Sequence, residues 1–209
     1  NIPKFAVIKD RKDFKCLSDF SFPAIVKLLK YEASEGISAS SYVRNNKACL
    51  ERVSYLLEKY QDAVIVEEFI EGREVYVSLI GSKNIQVYPP VELAFKNYPR
   101  NKPNLATYTA KWDNNYRKKW GLEVSPWKLC SSQTKKLSDY CKKIFRALNL
   151  SGYVRFDLRV CHSGEIFFIE ANPNPAIARS DEFSQSMIFS GITYENIIQE
   201  IIDHSLQKK

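Results

Sequence analysis

Four polar residues, Arg155, Asp157, Glu170 and Asn172, interrupt two apolar runs in GYVRFDLRVCHSGEIFFIEANPNPA, residues 152–176. The runs flank His162-Ser163-Gly164 and read as a β-hairpin. Alternation puts Tyr153, Arg155, Asp157 and Arg159 on one face of the first strand, and Val154, Phe156, Leu158 and Val160 on the other. On the second strand Ile166, Phe168, Glu170 and Asn172 share a face. A four-residue turn over 161–164 pairs Val160 with Glu165, sets Arg155 opposite Glu170 and Asp157 opposite Phe168. Asp157 and Glu170 are then diagonal neighbours, with backbones roughly 7–8 Å apart. Two carboxylates and an amide oxygen converging there are the hard ligands of a Mg²⁺ site, whose shell phosphates and water complete. The same residues also suit a cross-strand Arg155–Glu170 pair with Asp157 and Asn172 facing water. The hairpin by itself does not choose between them.

Two other stretches carry groups suited to a nucleotide. Lys27 ends an apolar strand before EASEGIS, residues 32–38, where Ser34 and the backbone around Gly36 could cover a phosphate. The alternative is a solvated lysine before a surface loop. In VIVEEFIEGREVYV, residues 64–77, a strand ends at Glu67-Glu68-Phe69-Ile70, turns at Gly72 and restarts at Glu74. A strand end there exposes backbone groups that could pair with a base edge, and Glu74 could accept from ribose hydroxyls; a hairpin with solvated acids is the other reading. Neither GxxxxGK[ST] nor GxGxxG is present.

The elements that must position these groups alternate along the chain. Strands are expected at 5–8, 24–27, 37–43, 63–69, 74–80 and 85–95. Helices are expected over 47–60 (Leu50, Val53, Leu56, Leu57 and Tyr60 on one face), from Ser132 to Asn149 (Leu137, Cys141, Ile144 and Leu148) and from Thr193. Residues 96–132 show little period, and so long an irregular stretch points to function. The division is α+β in two lobes, 1–71 and 72–209, the first carrying a phosphate-covering loop at 28–38.

The 209 residues are 44% apolar and 26% charged, enough for a sizeable core, and no run approaches a membrane span. Five cysteines form no CxxC pair and fit reduced thiols in a cytoplasmic protein. The net charge of +7 comes from scattered lysines, which an anionic small ligand accounts for as well as nucleic acid does, and no nucleic-acid motif is present. The chain starts at Asn1 within what reads as folded sequence; a preceding domain is therefore expected.

In order, Lys27 with ASEGI, VEEFIEGREVYV, TYTAKW, GYVRFDLRV and FFIEANPNP resemble the ATP-grasp superfamily, and within it the D-alanine–D-alanine ligases, from Ile2 to the last helix. RxD followed thirteen residues later by ExN is the most specific part. The resemblance implies two α/β lobes with mainly antiparallel sheets enclosing ATP, and an amino-terminal domain before them. It implies that Lys27 and Lys111 contact the phosphates under the loop at Ser34 and Gly36. Glu67 and the backbone through Phe69 and Ile70 would hold adenine, and Glu74 ribose. Asp157, Glu170 and Asn172 would bind two Mg²⁺ ions, with Mn²⁺ as a substitute, and Arg155 would sit by the reacting carbonyl. The implied activity is an ADP-forming ligase joining a carboxylate to an amine, each an amino acid or peptide, through an acyl phosphate. An ATP-binding module of the same fold, inactive by itself, is the alternative. No membrane or nucleic-acid partner is implied, and self-association is left open. Glu32 and Ala33 in the loop, Ala176 where those ligases have glycine, and Ser180, offset from their substrate serine, depart from the pattern and bear on substrate choice.

Overall fold

A computed structural model of the chain describes residues 1–31, 36–99 and 103–206. The chain forms two compact units, Asn1–Glu71 with Phe95–Leu122, and Gly72–Ala94 with Glu123–Lys209. Residues 95–122 thus cluster with the first unit rather than with the chain on either side of them.

In the first unit β1 (Phe5–Ile8), β2 (Ala24–Leu28), β3 (Tyr42–Val43) and β4 (Val64–Glu68) form an antiparallel sheet in the order β1-β4-β2-β3. Helix α1 (Asn46–Tyr60) starts where Asn45 accepts a hydrogen bond from the Ala48 N–H at 2.9 Å. It ends at Gln61, which is left-handed. It buries Cys49, Val53 and Leu56 in a core with Ile8, Val26 and Val66. The strand expected over 37–43 is reduced to Tyr42–Val43, because 39–41 form a 3-10 turn.

The stretch 96–132 is more regular than its sequence suggests. It holds α2 (Tyr108–Trp112) and α3 (Asn114–Trp120), which are too short to show a period. Their ends carry the signals: Thr107 caps α2, Asp113 accepts from the Asn115 and Tyr116 N–H groups, and Gly121 closes α3.

The second unit is built on a six-stranded sheet. It comprises β5 (Arg73–Gly81), β6 (Ile85–Val87), β7 (Val91–Phe95), β8 (Leu122–Pro126), β9 (Gly152–Val160) and β10 (Ile166–Asn172). The order is β10-β9-β5-β7-β8, with β6 also paired to β5. The strand expected over 85–95 breaks at Pro89-Pro90, which have no N–H to give to a ladder. Helix α4 (Ser131–Ala147) lays Leu137, Cys141 and Phe145 on one sheet face, against Val75, Val77, Leu79, Val154, Phe156 and Leu158. On the other face α5 (Glu182–Ile188) and α6 (Tyr194–Leu206) cover one end, where Phe183, Met187 and Ile197 meet Ile80. Among the described residues no helix is long and apolar enough to cross a membrane.

Candidate nucleotide and metal site

The face of β5 and β9 left uncovered by α4 is charged. Backbone register pairs Ser78 with Arg155, Tyr76 with Asp157 and Glu74 with Arg159. On the far side of β9, Asn172 lies opposite Arg155 and Glu170 opposite Asp157. Asp157 and Glu170 are thus direct rather than diagonal neighbours, and Arg155 faces Asn172, not Glu170.

The physical reason is a β-bulge. The connection runs through Glu165, so Val160 pairs with Ile166 and Phe168 with Leu158, which places Phe168 on the apolar face. Its ring meets that of Phe156 edge-on at 5.3 Å. Continued unchanged, that register would send Glu170 to the apolar face as well. A shift between Phe168 and Glu170 inserts one residue and returns Glu170 and Asn172 to the charged face.

The charges on that face are mostly buried and paired. Asp157 holds Arg155 in a two-point grip, accepting from Nε at 2.7 Å and from Nη2 at 3.0 Å. Nη1 of Arg155 donates to Glu182, in the first turn of α5, at 3.1 Å. The guanidinium lies over the Tyr76 ring, 5.1 Å from its centre. Burial works to lower the Arg155 pKa, but Asp157 and Glu182 overcome it and hold the group above its ordinary value. The Tyr76 hydroxyl donates to Glu74 at 2.8 Å, and Arg159 donates to Glu74 and to the Gly72 carbonyl at 3.3 and 3.2 Å. Burial first, then Glu74, Glu182 and Asp157, raises the Tyr76 pKa well above its usual value. Gly72 is required where β5 begins: its φ is +146°, and a Cβ would fall 2.0 Å from the Val160 carbonyl oxygen.

Four carboxylates, Glu74, Asp157, Glu170 and Glu182, therefore face two guanidinium groups. Glu170 is exposed, and like charges directly opposite on a sheet repel. Nδ2 of Asn172 is buried without a hydrogen-bond partner, and turning the amide over puts Oδ1 there instead. An excess of negative charge and an orphaned amide on one face fit a hard divalent cation. Among the described residues no three His, Cys, Asp or Glu side chains gather tightly enough to hold a metal alone. That suits Mg²⁺, which takes one or two carboxylates and completes its shell with phosphate and water.

The remaining residues singled out in the sequence fall mainly in the first unit. Lys27 and Glu67 share a sheet face and form an ion pair at 2.5 Å, both largely buried. The Phe69 N–H donates to the Pro23 carbonyl at 3.0 Å, and Ile70 is buried. Gly36 has φ +73°, and its carbonyl accepts from Arg52 of α1 at 2.6 Å. Lys111 lies on α2, and its ammonium has no ionic partner among the described residues. Ser34, with Glu32 and Ala33, lies outside the described residues. Sequence reasoning gave no role to Tyr76, Arg159, Arg52 or Glu182. Tyr76 and Arg159 stand two residues from Glu74 and Asp157, so alternation could have found them. Glu182 comes from a helix that no strand pattern reaches.

Residues 4–203 match the family model described as D-ala D-ala ligase C-terminus. Curated relatives include an uncharacterised protein of Sinorhizobium fredii, 28% identical over 96% of this chain and 56% of its own length. A D-alanine–D-alanine ligase of Desulfotalea psychrophila is 24% identical over 92% of this chain and 56% of its own. The chain spans about half the length of these relatives. Among solved structures, a D-Ala:D-Ser ligase of Enterococcus faecalis superposes with a TM-score of 0.75 at 22% identity, covering 97% of this chain and 56% of that one. A D-alanine–D-alanine ligase of Bacillus anthracis complexed with ATP gives 0.72 at 18% identity, covering 99% and 60%.

Proposed function

The chain belongs to the family of D-alanine–D-alanine ligase C-terminal domains, and from that premise we propose that it is the ATP- and metal-binding portion of an ADP-forming carboxylate–amine ligase. Its fold is the ATP-grasp fold, α+β with mainly antiparallel sheets. The observation that carries the reading is the pairing of Asp157 directly opposite Glu170, with Asn172 beside them on the same face.

In this reading Asp157, Glu170 and Asn172 hold Mg²⁺. Bound there, Mg²⁺ would offset the negative charge of the phosphoryl group moving from ATP to the substrate carboxylate. Lys27 exchanges Glu67 for phosphate, and Lys111 supplies a second ammonium. The freed Glu67, with the backbone of Phe69 and Ile70, borders adenine. Glu74 accepts from ribose hydroxyls through lone pairs that Tyr76 and Arg159 leave over. Arg155 commits three of its N–H groups to Asp157 and Glu182, which fixes the plane of the guanidinium. The others can donate to the oxyanion formed when an amine attacks the acyl phosphate. A donor already oriented needs no reorganisation at that moment. The carboxylate and the amine are small molecules, the carboxylate of the amino acid or peptide class.

Glu170→Gln tests the reading in the full-length protein. Without ligand the variant should melt at or slightly above the wild type, because a like-charge pair is relieved. Mg-ATP at about 100 times its Kd should raise the wild-type Tm by roughly 5–10 °C and the variant far less. ADP release with a panel of small carboxylates and amines should fall with it. Equal Tm gains in both proteins would remove Glu170 from the metal site.

A further inference from the structure

The contact between Glu182 and Arg155 has no counterpart in the strand pattern, and it changes the charge at the centre of the site. Arg155 is buried, and Asp157 alone suffices to neutralise it. Glu182 adds a second carboxylate, 3.1 Å from Nη1, with a side chain 18% exposed. The helix that brings it is firmly seated. Ser78 Oγ donates to the Phe183 carbonyl at 3.1 Å, and the Tyr153 and Phe183 rings meet edge-on at 5.8 Å. Among the described residues of this unit, the two other guanidinium groups nearest this end of the face are already engaged. Arg159 is taken by Glu74 and Gly72, and Arg179, a few residues before α5, turns to Glu195 at 3.0 Å and to the Tyr194 ring at 4.8 Å.

We infer that Glu182 is a specificity-determining residue, and that the acceptor at this site is an amine with no carboxylate beside it, uncharged or carrying a second positive group. The inference rests on the ligase reading, which places the reacting carbonyl at Arg155. An α-amino acid would bring its carboxylate up to a guanidinium already shared by two acids. It would be repelled by Glu182, or would have to displace it and leave a carboxylate stranded in a largely buried position. An amide, ester or diamine meets neither obstacle, and a cationic group gains from Glu182. Selection by such like-charge juxtaposition acts on the choice of partner more than on overall affinity.

The experiment compares matched acceptors with the full-length protein, Mg-ATP and a panel of carboxylate donors: D- and L-alanine against D- and L-alaninamide, and 1,2-diaminopropane. ADP release is expected to give a kcat/KM at least about tenfold higher for alaninamide than for alanine of the same hand. Glu182→Gln, which keeps a hydrogen bond to Arg155, should shrink that ratio toward one, and Glu182→Asp should restore part of it. A wild-type preference for alanine, or a ratio unchanged in Glu182→Gln, overturns the inference. A second readout separates it from the ligase reading. The Arg155 Nε–H resonance, with Mg²⁺ and a non-hydrolysable ATP analogue present, should shift at lower alaninamide than alanine concentration in the wild type only. If no acceptor supports ADP release and the resonance still shows this preference, the ligase reading falls, and what stands is discrimination by Glu182 between a carboxylate and its amide at Arg155. If the resonance responds alike to both acceptors, the preference falls whatever the activity.

Discussion

Strands β5, β9 and β10 present two faces that follow opposite rules. Toward α4 they offer Val75, Val77, Leu79, Val154, Phe156 and Leu158, a cluster with no charged member. On the reverse the same strands carry Glu74, Tyr76, Arg155, Asp157, Arg159, Glu170 and Asn172. The first face stabilises the unit by removing apolar surface from water. The second would be replaced by apolar side chains if stability were all it supplied, because desolvating ion pairs costs about what their attraction returns. In the proposed reading function and stability are separated by the thickness of one sheet, and substitutions on its two sides should separate in the same way.

The largest effect belongs to the apolar face. Phe156 is fully buried between α4 and the Phe168 ring. Phe156→Ala should cost about 3–5 kcal/mol in urea unfolding. Its Mg-ATP response should persist in whatever fraction stays folded. Glu170→Gln, on the opposite side of the adjacent strand, should do the reverse, keeping stability and losing the response. A Phe156→Ala protein of normal stability would break the comparison, since the charged face would then be holding the sheet together.

A smaller effect appears with pH. Burial pushes the Cys141 thiol on α4 up to about 12 from 9.0. The folded state therefore keeps this proton after the unfolded state has lost it. The stabilisation is complete below about pH 9 and is lost as pH rises toward about 12. Wild-type stability should fall by about 1 kcal/mol between pH 8 and 10 from this group. Cys141→Ala, whatever its starting stability, should show a correspondingly shallower decline. Tyr76 acts in the same direction on the charged face, but there carboxylates add to burial as a cause. An unchanged slope in Cys141→Ala would move the alkaline sensitivity to the other groups that burial raises, Tyr76 and Cys49 among them.

The two faces were legible in the sequence to different depths. Alternation from Tyr153 to Val160 sorts β9 correctly, because a strand has period two whatever it packs against. On β10 the same rule fails at Phe168, which the bulge before Glu170 leaves on the apolar face. No glycine or proline marks that bulge, and a one-residue slip reverses every side chain beyond it. The polar types of Glu170 and Asn172 announce which way they point better than counting does. Glu182 was illegible for another reason. It reaches Arg155 from 27 residues away, through the docking of a helix that local pattern does not foresee.

The smallest expected effect sharpens what burial adds to charge. Arg179 and Glu195 form a guanidinium–carboxylate pair at 3.0 Å, nearly the same length as the Arg155–Glu182 pair at 3.1 Å. Their side chains are 64% and 73% exposed, against 9% and 18%. Water and salt screen the first pair almost completely, so holding two long side chains together there gains little. Glu195→Gln should leave both the urea midpoint and the alaninamide-to-alanine ratio where they were. Glu182→Gln removes the same charge from the same unit and should move the ratio. Were Glu195→Gln to move it equally, a diffuse field would be setting the acceptor, and raising the salt concentration would erase the preference in both proteins. If only Glu182→Gln moves it, and salt does not, the selection comes from a carboxylate held out of water beside Arg155.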